Sequence, residues 1–248
     1  MSATAARAAR DALERLLETD APDLRATLPP GFADATEAYV ALLLEANARL
    51  NLTRIVEPGA VARLHLLDAL SALPVLDAAR PRRALDLGSG GGVPGIPLAL
   101  ARPDVGWLLV DSIAKKVDAL ASFIAALRLS NVEVRAGRAE TLGHDPGHRE
   151  RYDLVTARAC AALPVLAEYA LPLLRVGGLL VAWKGRPGED ELGAGQAAAA
   201  VLGGATPTVE PSGIDSLGDH RFVLIRKVEP TPARYPRRPG EPARRALG

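Results

Sequence analysis

Hydrophobic positions in the first 80 residues recur at the spacing of one helix face. The clearest set is Leu13, Leu16, Leu17, Tyr39, Leu42, Leu43 and Ala46. Apolar residues that recur in this way are typical of amphipathic helices. Asn51 and the pair Pro58-Gly59 interrupt the pattern, as turn residues do. Residues 1–80 are therefore predicted to form an N-terminal helical extension.

A different pattern begins at Arg82, where short apolar runs alternate with helical stretches. The runs are ALDL, WLLVD, VEVRA, YDLVTA and LLVAW. This alternation predicts an α/β fold with a doubly wound parallel sheet and helices on both faces. A last run, HRFVLIRKV, lacks a clear preceding helix and is expected to pair antiparallel. With a less distinct strand near PTVEPSGI, residues 81–229 are predicted to hold a seven-stranded, mostly parallel, Rossmann-like sheet.

The end of the chain, residues 230–248, changes in composition. It is rich in proline and carries five arginines against one glutamate. Because proline lacks the amide that a helix or sheet uses, this segment is predicted to be an irregular basic tail.

Composition narrows the class of protein. Hydrophobic residues make up 48% of the chain and charged residues 24%, as in ordinary globular proteins. Cys160 is the only cysteine, so neither an intrachain disulfide nor a multi-cysteine zinc site is expected. Charges interrupt the first twenty residues, and no apolar run approaches the roughly 18 residues of a membrane span. We expect a cytoplasmic protein that is neither exported nor inserted in a membrane.

The run DLGSGGG, which begins at Asp86, ends the first predicted strand. Glycine tolerates positive φ and lets a ligand approach the backbone, so such a loop is typical of a cofactor floor. A purely structural strand-to-helix turn is the alternative. The spacing of Gly90, Gly92 and Gly95 also satisfies the dinucleotide pattern, whose helix start receives a pyrophosphate. However, Pro94 removes one donor amide there.

The register of the loop favours S-adenosylmethionine as the cofactor. Asp86 lies two residues before the first glycine, where its carboxylate could balance the cationic amino-acid end of that molecule. Asp111 ends the second strand, where an acid can accept ribose hydroxyls; a solvated acid near a helix start is its alternative. The GRAE segment, ending at Glu140, follows the third strand and is a suitable place to meet an adenine edge.

Several further side chains are candidates for substrate binding or for structural roles. Arg158 ends the fourth strand, where cofactor and substrate should meet, although an ion pair is its alternative role. His65 and Asp68 lie three apart on one helix face and are interpreted as a structural pair rather than a metal site. Cys160 is interpreted as a small buried apolar residue. A positive charge or a stacking ring makes the following residues RNA-binding candidates: Lys184, Arg186, Arg234, Tyr235, Arg237 and Arg238.

Read with the glycine loop, the motifs LNLTRI, HLLDAL, VDSIAKK, GRAE, TARAC, WKG and YPRRPG resemble the RsmG (glucose-inhibited division protein B) family. The resemblance runs from about Asn47 to Gly240. It implies a seven-stranded methyltransferase sheet that uses S-adenosyl-L-methionine. The substrate it implies is N7 of one guanine in 16S ribosomal RNA of the 30S subunit.

Carried over by position, the resemblance implies a set of cofactor-binding residues in addition to Asp86 and Gly90. They are Gly88, Val93, Asp111, Ser112, Ile113, Ala139, Glu140 and Arg158. Family members often have phenylalanine at the Val93 position and serine at the Ala69 position, so the fine shape of the pocket is expected to differ.

The chemistry that the resemblance implies needs no general base, because N7 of guanine is a neutral lone pair without a proton. Positioning of donor and base should dominate, and no residue is assigned as certainly catalytic, with Arg158 as the candidate. We expect no metal ion in the site. We also expect the protein to be a monomer. A small-molecule methyltransferase, a nicotinamide-dependent oxidoreductase and a non-catalytic RNA-binding protein stay open as alternatives.

Overall fold

The central sheet has seven strands, and the computed structural model describes residues 2–247. The strands are β1 (Arg83–Leu87), β2 (Gly106–Asp111), β3 (Val132–Ala136), β4 (Tyr152–Arg158), β5 (Leu174–Lys184), β6 (Thr208–Pro211) and β7 (Arg221–Arg226). Their order in the sheet is β3-β2-β1-β4-β5-β7-β6. Strands β1 to β5 pair in parallel, whereas β7 pairs antiparallel with β5 and with β6. The predicted fold class and the antiparallel last strand are confirmed.

Helices flank both faces of this sheet. They are α1 (Ser2–Asp20), α2 (Pro22–Ala26), α3 (Phe32–Leu50), α4 (Pro58–Val61), α5 (Asp68–Leu70), α6 (Leu73–Ala79), α7 (Gly95–Ala101), α8 (Ala114–Leu127), α9 (Ala139–Leu142), α10 (Leu163–Ala170), α11 (Glu189–Val201) and α12 (Glu241–Arg244). A π-helical segment spans Ala62–Leu67, and a 3₁₀ turn spans Asp215–Leu217.

The sheet order reverses between β1 and β4, which are neighbours in space although β2 and β3 come between them in sequence. Such a switch point opens a crevice at the carboxyl ends of the strands, where open α/β sheets bind their ligands. The parallel register also sets Asp86 of β1 beside Thr156 of β4. Asp86 and Thr156, two polar residues of the central strands, therefore lie side by side near the carboxyl ends of β1 and β4.

Alternation along the strands divides the hydrophobic core into two layers. Ala84 and Leu154 belong to a layer that also contains Leu13 and Tyr39 of the N-terminal helices. Leu85 and its neighbours face the other layer, beneath α10 and α11. Residues on both sides of position 80 thus share one core. The N-terminal helices form where their spacing predicted them, and α3 stops at Asn51, whose φ of 49° is left-handed.

The stretch Pro58–Ala79 is long and apolar enough to cross a membrane by length and composition alone. However, 67% of its most apolar window is buried in the protein. Val61, Leu66, Leu67 and Leu70 are almost fully buried, so the apolar character of this stretch is accounted for by the core.

The basic tail packs on the rest of the protein. The prediction that residues 230–248 are irregular is corrected for one short helical segment. Tyr235 and Thr231 are buried, and a single turn of helix forms at Glu241–Arg244. The Arg149 guanidinium donates to the carbonyls of Tyr235 and Thr231, at 2.8 and 2.7 Å. Arg149 thus supplies donors to backbone carbonyls of a tail that proline keeps largely out of regular structure.

The glycine loop after β1 is held from one side by α3. The Tyr39 hydroxyl donates to the Gly91 carbonyl at 2.8 Å, and Tyr39 is fully buried. A Cβ at position 91 would lie 2.7 Å from Leu43 Cδ1, so α3 approaches the loop as closely as glycine allows. The N-terminal extension is therefore a direct support of the loop.

We expect Tyr39→Phe to lower the free energy of unfolding by about 1–2 kcal/mol, because the buried Gly91 carbonyl loses its donor. Urea denaturation would measure this. Tyr169→Phe is the matched control, since the Tyr169 hydroxyl makes no hydrogen bond within residues 2–247. Equal effects of the two substitutions would contradict a specific role for the Tyr39 contact.

Candidate active site

A cleft of about 320 Å³ opens at the carboxyl ends of β1 to β4. Of the predicted cofactor residues, those that line it are Gly88, Asp111, Ser112, Ile113, Ala139 and Glu140. Lys116, Arg138, Cys160 and Tyr169 complete the parts of its wall used below. A larger hollow of about 460 Å³ lies between α2 and the start of α6, away from these strand ends. Position at the switch point identifies the smaller cleft as the candidate site.

The floor of the cleft is the glycine loop. The amides of Gly88 and Ser89 both donate to the Val110 carbonyl of β2, at 2.8 and 3.0 Å, which fixes the turn at the end of β1. Gly88 has a φ of +68°. A Cβ at position 88 would also lie 2.4 Å from Cys160 Sγ. This turn therefore requires glycine on both conformational and steric grounds.

Asp111 joins the loops that follow β1 and β2. Its Oδ2 accepts from the Gly90 amide at 3.0 Å, and its Oδ1 accepts from the Ile113 amide at 2.9 Å. The residue is only 6% exposed, so it is not the solvated acid that the alternative interpretation required. Each carboxylate oxygen keeps a second acceptor site for a hydroxyl donor in the cleft.

Asp86 lies beneath the glycine loop rather than in the cleft. It is fully buried, and its Oδ1 accepts from the Thr156 hydroxyl at 2.7 Å. Its Oδ2 has no hydrogen-bond partner among residues 2–247. Burial raises the pKa of this carboxyl to about 6, and the Thr156 hydroxyl opposes that rise. In this structure Asp86 supports the loop from below and does not offer its carboxylate to a ligand directly.

Two side chains give the cleft an apolar character. Ile113 is 48% exposed and lines the wall after β2. Cys160 lines the cleft as well; the residue as a whole is exposed, but its thiol is packed against Gly88 and burial raises the pKa of that thiol. Its thiol donates to the Leu87 carbonyl at 2.7 Å. The exposed apolar side chain of Ile113 in this concave site suits a flat apolar ring.

The predicted cofactor residue Val93 does not line this cleft. It is half-buried and packs against the core.

On the opposite wall, Glu140 is almost fully buried although it lines the cleft. Its Oε1 accepts from the Gly240 amide at 2.8 Å. The partner lies 100 residues away, in the tail. No local pattern in the GRAE segment indicates this contact, and our sequence analysis missed it.

Arg158 points from the end of β4 to the helical segment before β1. It donates to the Leu64 carbonyl at 2.7 Å and to Asp68 Oδ2 at 3.1 Å. Its other terminal nitrogen lies 3.1 Å from His65 Nδ1. The alternative role of Arg158 as an ion-pair partner is thus realised. His65 and Asp68 belong to one structural cluster, as interpreted, but they are joined through Arg158.

Two further contacts extend this cluster across the chain. His65 Nε2 lies 2.7 Å from the Thr53 hydroxyl, and Asp68 Oδ1 lies 2.8 Å from His220 Nδ1. Burial, reinforced by the Arg158 charge, lowers the pKa of His65 to about 4, so this ring is neutral near pH 7. Sequence reasoning missed His220, which stands alone in a loop before β7. Within residues 2–247, no three His, Cys, Asp or Glu side chains are grouped to hold a metal ion.

The predicted RNA-binding residues divide into two groups. Lys184 donates to Glu191 at 2.7 Å and to the Ala161 carbonyl at 2.9 Å, while Arg237 is paired with buried Glu168. Tyr235 is buried, so its ring is not presented for stacking. The other three candidates are exposed and form no ion pair among residues 2–247: Arg186, Arg234 and Arg238.

Comparison with protein families gives one match over most of the chain. Residues 33–215 match the family described as rRNA small subunit methyltransferase G. A protein named ribosomal RNA small subunit methyltransferase G from Deinococcus radiodurans is 45% identical over 94% of this chain and 92% of its own length. A protein of the same name from Moorella thermoacetica is 41% identical over 94% of this chain and 98% of its own length.

Solved structures match the fold at lower identity. An O-methyltransferase from Bacillus cereus in complex with SAH has a TM-score of 0.52 and 20% identity, covering 75% of this chain and 89% of that one. The CurJ carbon methyltransferase has a TM-score of 0.53 and 15% identity, covering 88% of this chain and 67% of that one. These likenesses show the methyltransferase fold.

The buried Asp86 carboxyl predicts a pH effect on stability. Because its pKa is raised in the folded state, the stability it contributes is present below about pH 4 and is lost as the pH rises through about 6. Asp86→Asn removes this loss. Without cofactor, the free energy of unfolding of the variant relative to wild type should therefore rise by about 1 kcal/mol between about pH 5 and pH 8. Urea titrations at both pH values would measure it, and a pH-independent difference would contradict the assignment.

Proposed function

The chain belongs to the rRNA small subunit methyltransferase G family, and from this premise we propose that it transfers a methyl group from S-adenosylmethionine to N7 of a guanine in 16S ribosomal RNA. The observation that carries the proposal is the cleft at the switch point, in which Asp111 and the glycine loop face an exposed apolar side chain. The family makes the chain an S-adenosylmethionine-dependent methyltransferase, and we propose this cleft as its cofactor site.

The residues of the cleft fit this cofactor. The glycine loop leaves room beside its backbone, since a Cβ at Gly90 would meet nothing closer than the Gly88 carbonyl at 3.8 Å. Asp111 supplies the acceptors for a ribose, and Ile113 supplies an apolar surface for a base. Ala139 and Glu140 lie on the wall where we place the adenine edge. Gly88 and Gly90 are then left for the amino-acid end.

When bound, S-adenosylmethionine supplies a methyl group on a positively charged sulfur. The protein does not need to remove a proton from guanine N7, because that atom carries none. Its contribution is then to orient the base and the donor, which in well-oriented model reactions lowers the barrier by roughly 7–11 kcal/mol. We assign this orienting role on the substrate side to the Arg158 cluster, because its contacts fix the end of β4 against the helical segment near Leu64.

The RNA surface in this proposal is smaller than the sequence suggested. Arg186, Arg234 and Arg238 are exposed and are proposed to contact phosphate. Lys184, Tyr235 and Arg237 are engaged within the protein and are proposed to support that surface from inside. The partner is the 30S subunit or its RNA. We further propose a monomeric cytoplasmic enzyme that uses neither a metal nor a membrane.

We expect the purified protein to transfer labelled methyl from S-adenosylmethionine to 30S subunits that lack the modification. Mass mapping of the ribosomal RNA should place the label on N7 of one guanine. Fully modified subunits are the control and should take up no label. Label on another atom would refute N7 specificity, and cofactor binding without any RNA label would favour a small-molecule substrate.

The glycine loop allows a matched test of the cofactor site. Gly88→Ala forces a positive-φ alanine against Cys160, and we expect it to weaken binding of S-adenosylhomocysteine by about tenfold or more, equivalent to about 1.4 kcal/mol. Gly185→Ala is the control, because a Cβ there meets no atom within 4 Å. Calorimetry would measure both, and unchanged binding in Gly88→Ala would place the cofactor elsewhere.

A further inference from the structure

The tail from residue 231 to residue 240, here named the docked tail, is tied to α10 by a buried ion pair. Glu168 is fully buried, and its carboxylate accepts from the Arg237 amide at 2.8 Å and from Arg237 Nε at 2.9 Å. A third donor, Arg237 Nη2, lies 2.5 Å from Glu168 Oε2. A buried carboxylate with a fork-shaped partner needs that partner in place, because an unpaired buried charge is costly.

The same tail also contacts both ends of α9. The Gly240 amide donates to Glu140, the second residue of this helix. At the other end, Pro236 packs on Gly143 so closely that a Cβ there would lie 2.7 Å from the proline Cδ. The Pro236 carbonyl is also 2.6 Å from His144 Nε2. The docked tail therefore touches α9 at its beginning and at its end.

These contacts matter because α9 has only four residues, Ala139–Leu142. A helix of one turn is not stable by itself, so tertiary contacts must set its position. Ala139 and Glu140 line the cleft, as does Tyr169, the residue that directly follows Glu168. The tail is thus hydrogen-bonded to one residue of the cleft wall and to the sequence neighbour of another.

From this arrangement we infer that the docked tail positions the adenine side of the cofactor cleft, so that tail docking and cofactor binding stabilise each other. Arg237 and Glu168 are then positioning residues, which act through α9 and α10 without touching the cofactor. The inference rests on the proposed function. If the bound cofactor favours the docked tail, the docked tail must favour the cofactor by the same factor.

Arg237→Lys tests the inference while keeping the positive charge. Lysine cannot reproduce the planar fork that grips Glu168. We expect the dissociation constant for S-adenosylhomocysteine, measured by calorimetry without RNA, to rise about tenfold. In turnover, KM for S-adenosylmethionine should rise by a similar factor. A role confined to RNA contact predicts unchanged binding of S-adenosylhomocysteine and a higher KM for 30S subunits alone.

Two control variants separate positioning from general loss of stability. Arg102→Lys breaks a similar fork, from Arg102 to Asp77 at 2.7 and 2.6 Å, far from the cleft. Arg244→Ala removes an exposed charge from α12, just beyond the docked tail. Both should bind S-adenosylhomocysteine as wild type does. Equal weakening in Arg237→Lys and Arg102→Lys would overturn the inference.

The wild-type protein gives a second measurement that does not depend on any variant folding. Saturating S-adenosylhomocysteine should slow trypsin cleavage after Arg234 and Arg237 several-fold, as followed by mass spectrometry. Cleavage after exposed Arg128, at the end of α8, should change less. Unchanged tail cleavage in a protein that binds S-adenosylhomocysteine would overturn the inference alone. Failure of the wild type to bind it would overturn the proposed function and the inference together.

Discussion

The Asp111 carboxylate accepts one hydrogen bond from an amide in the loop after β1 and one from an amide in the loop after β2. Both loops must end at the same edge because their strands are parallel, and both would otherwise leave amides without partners. By joining them, one side chain fixes the floor and one wall of the cleft at once. Two further contacts, from Tyr39 of α3 to the glycine loop and from Gly240 of the tail to Glu140, then add to the arrangement that this carboxylate fixes.

Around this link the protein uses buried polar contacts to hold the walls of the cleft from outside. Tyr39 holds the glycine loop, the Arg158 cluster holds the end of β4, and the tail holds α9. Each contact joins residues at least 52 positions apart in sequence. Such groups are costly to bury unpaired, so each contact favours a single arrangement of the loop that it touches. The shape of the cleft therefore depends on the whole chain.

Local pattern predicted the sheet well, because apolar runs and turn residues report on burial and on chain reversal within a few positions. It also placed the loop from Gly88 and the acid Asp111 at the same edge of the sheet, where both line the cleft, because each lies at a strand end. It failed where a side chain's partner lies far away in sequence. Glu168 stands in the apolar helix sequence LPVLAEYA, and nothing near it indicates Arg237 as its partner. The burial of Tyr235 was not predicted, for the same reason.

The contact of Glu140 with Gly240 bears on how far the site can be separated from the rest of the chain. Residues 81–229 contain every strand of the sheet and every residue that lines the cleft. A fragment cut at those limits would nevertheless lack Tyr39, whose hydroxyl donates to the Gly91 carbonyl, and Gly240, whose amide donates to Glu140. The shape of the candidate cleft is thus a property of the full protein, and it cannot be transplanted as a module by moving its lining residues alone.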